Sequence, residues 1–153
     1  LVVHPNPRGS TGYGRDFCLA IWQNWGGPDY EDVMAAVDDV ISRGWGDPKR
    51  LGVMGWSYGG MMTNHVITKT ERFKAAVTGA SATLYAANYG HDQYQRWWEQ
   101  ELGLPWEPKA REIYERISPF NQVTKVKTPT LIELGERLTG MFLSSILNNY
   151  ILP

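Results

Sequence analysis

The sequence predicts an α/β fold: a mostly parallel sheet with helices on both faces. Short apolar runs at 51 to 56, 75 to 78 and 130 to 134 have the length and content of buried strands. Helical segments alternate with them, the order that gives a parallel sheet with right-handed crossovers. One strand-like run ends directly in a glycine-flanked serine that opens a helix.

In chain order, Leu1-Val2-Val3 reads as the end of a buried strand, closed by His4-Pro5-Asn6-Pro7. Arg8 to Gly14 is a glycine-rich loop, with a short helix from Arg15 to about Trp22. Gly26-Gly27-Pro28 breaks the chain. The next helix is the clearest. Asp29 is expected to cap it, with Asp32 favouring its dipole. Val33, Val37, Val40 and Ile41 recur on one face, and Gly44 stops it. After the Asp47-Pro48 turn comes the strand from Leu51 to Trp56, then a helix from about Tyr58 to Lys69. Ala75 to Thr78 is a second strand. Residues 81 to 108 are aromatic and irregular, with a helix expected around Asp92 to Leu102. Lys109 to Arg116 is helical, Ser118-Pro119 is a turn, and Thr130 to Leu134 is the last strand.

The 153 residues suit one domain, and 42% hydrophobic content is enough for a core. A net charge of −1 without a basic cluster argues against a nucleic-acid partner. Cys18 is the single cysteine, so no internal disulfide forms. Neither end reads as a natural terminus: Leu1 opens inside an apolar run, without the pattern of a signal peptide. The apolar stretch near the end is broken by Asn148 and Asn149 and is too short to span a bilayer.

The chemistry concentrates at Gly55-Trp56-Ser57-Tyr58-Gly59, a G-x-S-x-G pattern. Small flanking residues let a strand turn sharply into a helix and push the serine hydroxyl out at the sheet's carboxyl edge. The pattern in this setting predicts the nucleophile turn of an α/β-hydrolase. The helix beginning there aims free N–H groups at the same place, which makes the Tyr58 backbone N–H an expected oxyanion donor. Gly60 extends the small side. Chance matches to the bare pattern are common; its strand-before, helix-after setting supplies the specificity. The competing reading is a glycine-rich turn with a solvated serine.

Gly55-Trp56-Ser57-Tyr58-Gly59-Gly60 resembles the nucleophile signature of the prolyl oligopeptidase family, in its dipeptidyl peptidase IV and acylaminoacyl-peptidase branches. Asn6-Pro7-Arg8-Gly9-Ser10-Thr11-Gly12-Tyr13-Gly14 resembles the same family's upstream loop. Asp47-Pro48-Lys49-Arg50, Ile117-Ser118-Pro119 and Lys127-Thr128-Pro129-Thr130-Leu131-Ile132 also fit. Trp98 to Gly103 with Pro105-Trp106-Glu107 looks nearest the acylaminoacyl-peptidase branch. The resemblance covers residues 1 to about 136. It implies attack by Ser57 on a peptide carbonyl through an acyl-enzyme, no metal or other cofactor, and a β-propeller domain upstream. It further implies that the hydrolase domain is incomplete here, lacking strands at its start and strands and helices at its end. The family's second oxyanion donor, a tyrosine hydroxyl, precedes the region matching Leu1.

A serine needs a base, and the base an orienting acid, in the chain order serine, acid, histidine. After Ser57 stand His65 and His91. His65 lies along the nucleophile helix and His91 in the aromatic segment; both read as ordinary histidines. By the resemblance the acid belongs two residues past Gly135-Glu136, where Leu138 stands. After Glu136 there is no Asp, Glu or His. Residues 1–136 are therefore expected to be a partial catalytic domain. Residues 137–153 are expected to be a tail outside the family, from a frameshift or mis-join near Arg137 or from truncation. The chain alone is expected to be inactive.

Tyr85, Tyr89, Tyr94, Trp97, Trp98 and Trp106 cluster after the second strand. Loops there line sites in open α/β sheets, so Tyr85, Tyr89 and Trp97 are the expected pocket wall, against plain packing. An esterase or lipase, and a hydrolase-like binding module without catalysis, are the alternative functions.

Overall fold

The computed structural model describes residues 1–91 and 93–135. It contains α1 (Arg15–Leu19), α2 (Pro28–Ser42), β1 (Gly52–Trp56), α3 (Tyr58–Lys69), β2 (Ala75–Gly79), α4 (Tyr85–His91), α5 (Gln95–Leu102), α6 (Pro108–Ile117), a 3₁₀ helix (Pro119–Lys125) and β3 (Thr130–Glu133). The strands form one parallel sheet, in the order β1-β2-β3. Met54, Val77 and Leu131 share one row, and Gly55, Thr78 and Ile132 the next, on the opposite face.

The α3 helix forms against weak local preference. It holds β-branched Thr63, Val66, Ile67 and Thr68, with Asn64 and His65 among them. Packing holds it instead, because every residue from 60 to 68 is buried. Its hydroxyls turn back onto the helix, Thr63 Oγ1 donating to the Gly59 carbonyl at 2.9 Å and Thr68 Oγ1 to Asn64 at 2.9 Å. α3 is a wedge between two cores. Met61 enters one with Trp25, Tyr85, Trp98, Leu102, Tyr114 and Ile117. Met62 and Val66 enter the other with Met34 and Phe73, against which Val33 and Val37 of α2 pack.

The parallel sheet and its alternation with helices agree with the sequence. Several details differ. Among the described residues helices cover one face of the sheet; on the other, Met54, Trp56 and Leu131 remain 57–77% exposed. Leu1-Val2-Val3 forms no strand, having no neighbouring strand to pair with among the described residues. α1 stops at Leu19, and the turns that follow reach left-handed Gln23 (φ 55°). Gly27, not Asp29, is the N-cap of α2, with Pro28 in its first turn. α4 stands where irregular chain was expected; at seven residues it is too short to display a period. The turn at Ser118-Pro119 continues into a 3₁₀ helix. Gly44 ends α2 as expected, in a left-handed conformation (φ 72°). The readings that rest on Asp92, Glu136, Leu138 and the tail 137–153 lie outside the described residues.

Candidate functional site

Ser57 joins sheet and helix in one residue. Its N–H donates to the Gly79 carbonyl at 2.9 Å, extending the β1–β2 ladder by one rung. Its own carbonyl accepts the Met61 N–H at 3.0 Å, the first bond of α3. Serving both ladders requires φ 56° and ψ −119°, which L residues rarely adopt. Such a conformation costs about 1–3 kcal/mol and persists only when its surroundings over-determine it. The Ser57 side chain is exposed at the carboxyl end of β1.

The glycines around it play different parts. A Cβ on Gly55 would lie 2.1 Å from the Gly59 carbonyl oxygen, so strand end and helix start touch through Gly55. A Cβ on Gly60 would lie 2.6 Å from the Gly79 oxygen and 2.7 Å from the Ser81 Cβ. At Gly59 a Cβ meets nothing within 4 Å, so the expectation that both flanks of the serine must be small for the turn to close holds at Gly55 and not at Gly59. Thr78 Oγ1 donates to the Gly60 carbonyl at 3.1 Å, and Ser81 and Asn64 complete that buried chain. It fastens the first turn of α3 to the end of β2.

Tyr58, Gly59 and Gly60 open α3, so their N–H groups have no partner one turn back. The Tyr58 amide directly follows the serine. The Tyr58 phenol runs the other way, donating to Asp29 Oδ2 at 2.6 Å with its ring edge-on to Trp25. Burial, then the Asp29 carboxylate, hold this phenol well above its ordinary range, so it stays a donor. Sequence reasoning missed Asp29. An acid at a helix start looks like a cap, and nothing local marks it as fully buried and turned inward.

His65 is a core residue: buried, with Nε2 3.0 Å from the Tyr85 hydroxyl. Burial, then the charge of Lys69, push its pKa down to about 3. It also sits eight residues along α3, about 12 Å of helical rise from Ser57. His91 ends α4 and is exposed. Among the described residues, no group of three or more His, Cys, Asp or Glu is placed to hold a metal, and no helix is long and apolar enough to cross a membrane.

The aromatic segment divides. Tyr85 has no exposed surface and packs against Trp25 and Trp98; it belongs to the core, which corrects its expected place in a pocket wall. Trp97 is 41% exposed and stacked on Trp25, with 5.1 Å between ring centroids. Tyr89 is half-buried and donates to Glu99 at 2.8 Å. Two concavities, of about 390 and 140 Å³, both include Thr68 and Lys69 at the far end of α3, and neither includes Ser57.

The upstream loop is tied in by Arg8. Its guanidinium grips both oxygens of Asp32 at 2.8 and 2.9 Å and also reaches Glu31 and the Pro28 carbonyl. The glycine-rich loop is thus fixed to the first turns of α2.

Comparison with known proteins places this geometry. The chain is 44% identical over 140 residues to the Uncharacterized peptidase YuxL of Bacillus subtilis, covering 89% of this chain and 21% of that one. Among solved structures it superposes on the uncomplexed Pyrococcus horikoshii acylaminoacyl peptidase with a TM-score of 0.78 at 31% identity, covering 84% of this chain and 21% of the other. A Mycobacterium tuberculosis puromycin-hydrolyzing peptidase gives a TM-score of 0.79 at 31% identity, covering 89% and 21%. The chain therefore spans about a fifth of the length of these relatives. Their likeness makes the fold an α/β-hydrolase, and the prolyl oligopeptidase family profile matches residues 1–137. The chain belongs to the prolyl oligopeptidase family.

Proposed function

We propose that this chain is the nucleophile-bearing part of a serine peptidase catalytic domain. Ser57 attacks the carbonyl of a peptide bond in a short peptide, and the Tyr58 N–H holds the oxyanion that develops. The observation that carries this reading is the left-handed, exposed Ser57 at the junction of β1 and α3. A strained, solvent-facing hydroxyl beside unbonded helix-start amides suits acyl transfer and has no evident structural use. Covalent catalysis proceeds by attack of Oγ, proton transfer to a base, departure of the amine and hydrolysis of the acyl-serine. His65 is not that base, being neutral, buried and committed to Tyr85. Acid and base come from chain outside residues 1–135. The surface facing Ser57 is completed there too, with a β-propeller upstream limiting access to short peptides. Trp97 and Tyr89 remain the proposed contacts for substrate.

The test is labelling by a fluorophosphonate, with mapping of the modified peptide. In the full-length protein carrying these residues, label is expected on Ser57 and absent from Ser57→Ala. The 153-residue chain alone is expected to label on the order of 10⁶-fold more slowly, the scale of losing the base as well as the acid. A folded full-length protein left unlabelled at Ser57 would mean a hydrolase fold without catalysis. Esters turned over while peptides are refused would mean an esterase.

A further inference from the structure

Asp29 is the one buried carboxylate among the described residues; it makes no helix-cap bond and no direct salt bridge, the Lys69 ammonium acting on it only through space. Its Oδ2 accepts the Tyr58 hydroxyl at 2.6 Å and the Gly26 N–H at 3.2 Å, and its Oδ1 is buried without a partner. Burying a carboxylate with a free oxygen is costly, and an apolar residue of similar size avoids that cost. The seat that holds it is rigid. Gly26 has φ 71° and lies so close over the His65 ring that a Cβ there would come within 2.2 Å of Nδ1. The Lys69 ammonium donates to the Gly26 carbonyl, and the Trp25 ring meets the Tyr58 ring edge-on. The loop from Trp25 to Asp29 is therefore clamped along α3, from its last residue to its first.

We infer that Asp29 is a positioning residue for the reaction at Ser57: through the Tyr58 hydroxyl it fixes the peptide unit whose N–H meets the oxyanion. The inference rests on the serine-peptidase reading above. Tyr58 is anchored at both ends, its amide beside the nucleophile and its phenol on the buried Asp29 carboxylate. A strong charge-assisted hydrogen bond at the far end of the ring limits the rotation of the near end. Asp29 touches neither substrate nor Ser57; it acts through Tyr58.

The experiment uses the full-length enzyme with Asp29→Asn, Tyr58→Phe and the double variant, assayed on an acylated chromogenic peptide. A displacement of about 1 Å at a catalytic group costs on the order of 10²-fold. A loosened amide is therefore expected to lower kcat by roughly 10- to 100-fold, with KM within about twofold. Affinity for a peptide boronate, which places an oxygen in the oxyanion site, should fall in parallel. Tyr58→Phe removes this link, and Asp29→Asn keeps an acceptor oxygen but loses its charge; because both act on one link, the double variant should lose no more than Tyr58→Phe alone. Tyr58→Phe retains the ring against Trp25, so it decides the matter if Asp29→Asn fails to fold. Unchanged kcat in a folded variant overturns the inference, as do losses that multiply in the double variant. A loss confined to thermal stability, with turnover per titrated Ser57 intact, also overturns it. Activity that survives Ser57→Ala sinks the serine-peptidase reading instead, which separates the two failures.

Discussion

Gly55→Ala tests how tightly the Ser57 turn is closed. The new Cβ would stand 2.1 Å from the Gly59 oxygen, 2.2 Å from its carbonyl carbon and 2.8 Å from its Cα. Comfortable carbon contacts lie at about 3.5–4 Å, so strand end and helix start must separate by roughly 1 Å or more. Both obstacles are backbone, and neither can swing aside as a side chain would. Overpacking costs about 1–3 kcal/mol, and these fixed surroundings put Gly55→Ala at the upper end. For a domain of this size 1 kcal/mol moves Tm by roughly 2–4 °C, so a fall of about 6–12 °C is expected. Gly59→Ala is the control. Its Cβ enters open space in the first turn of α3, where alanine is favoured over glycine by about 0.5–1 kcal/mol. Its Tm should hold or rise slightly. Circular dichroism melts read the stability, and the rate of fluorophosphonate labelling reads the position of Ser57, which should slow by up to ~10²-fold in Gly55→Ala alone. Equal melting temperatures in the two variants would refute the argument that Gly55 sets the closure.

Three further outcomes follow from the paired polar groups. His65 is held neutral with a pKa of about 3, against about 6.5 when unfolded, so its contribution is complete above pH 6.5 and is lost as pH falls. Between pH 7 and pH 5 that loss is about 2 kcal/mol; melts across this range should show it, and His65→Gln should flatten the slope. Tyr85→Phe strips the hydroxyl from His65 Nε2 and should cost about 1–3 kcal/mol in denaturant unfolding. In the full-length enzyme it should leave KM unchanged, since Tyr85 is core; a raised KM would return Tyr85 to the pocket. The hydrogen bond from Arg8 holds the Asp32 carboxyl below its usual range, so its contribution is present above pH 4 and disappears as pH falls further. Asp32→Asn should make that acid limb shallower in the same melts.

What was legible in the sequence is what repeats or what strains. The start of α3 was readable because a glycine-flanked serine opens it; the structure ends it after Lys69, where Thr70 takes extended geometry. The strands were readable as short apolar runs between breakers. That one sheet face carries no helix among the described residues was not legible, because a strand buried on one side and one buried on both can carry the same apolar letters. Asp29 and Tyr85 were misplaced for a related reason. A first-turn acid reads as a cap and a loop tyrosine as a pocket wall, until the Gly26 turn and the Trp25 ring show both to be interior. Arg8 finds its partner Asp32 24 residues away, beyond any local pattern.

These contacts make stability and site placement a single matter at Ser57. A non-glycine residue at φ 56° sits about 1–3 kcal/mol above its relaxed state, so left alone it would relax. Four constraints prevent this, two from β2, one from α3 and one from the first turn of α2. The Gly79 carbonyl takes the Ser57 N–H, the Met61 N–H takes the Ser57 carbonyl, Thr78 holds the Gly60 carbonyl, and Asp29 holds the Tyr58 ring. Loosening any one lets the peptide relax toward ordinary helix or strand geometry, and the position of Oγ at the end of β1 is then no longer fixed. The same buried polar groups that cost energy to desolvate therefore keep the nucleophile outside. Replacing them with apolar residues of equal volume should give a chain that melts no lower and labels more slowly.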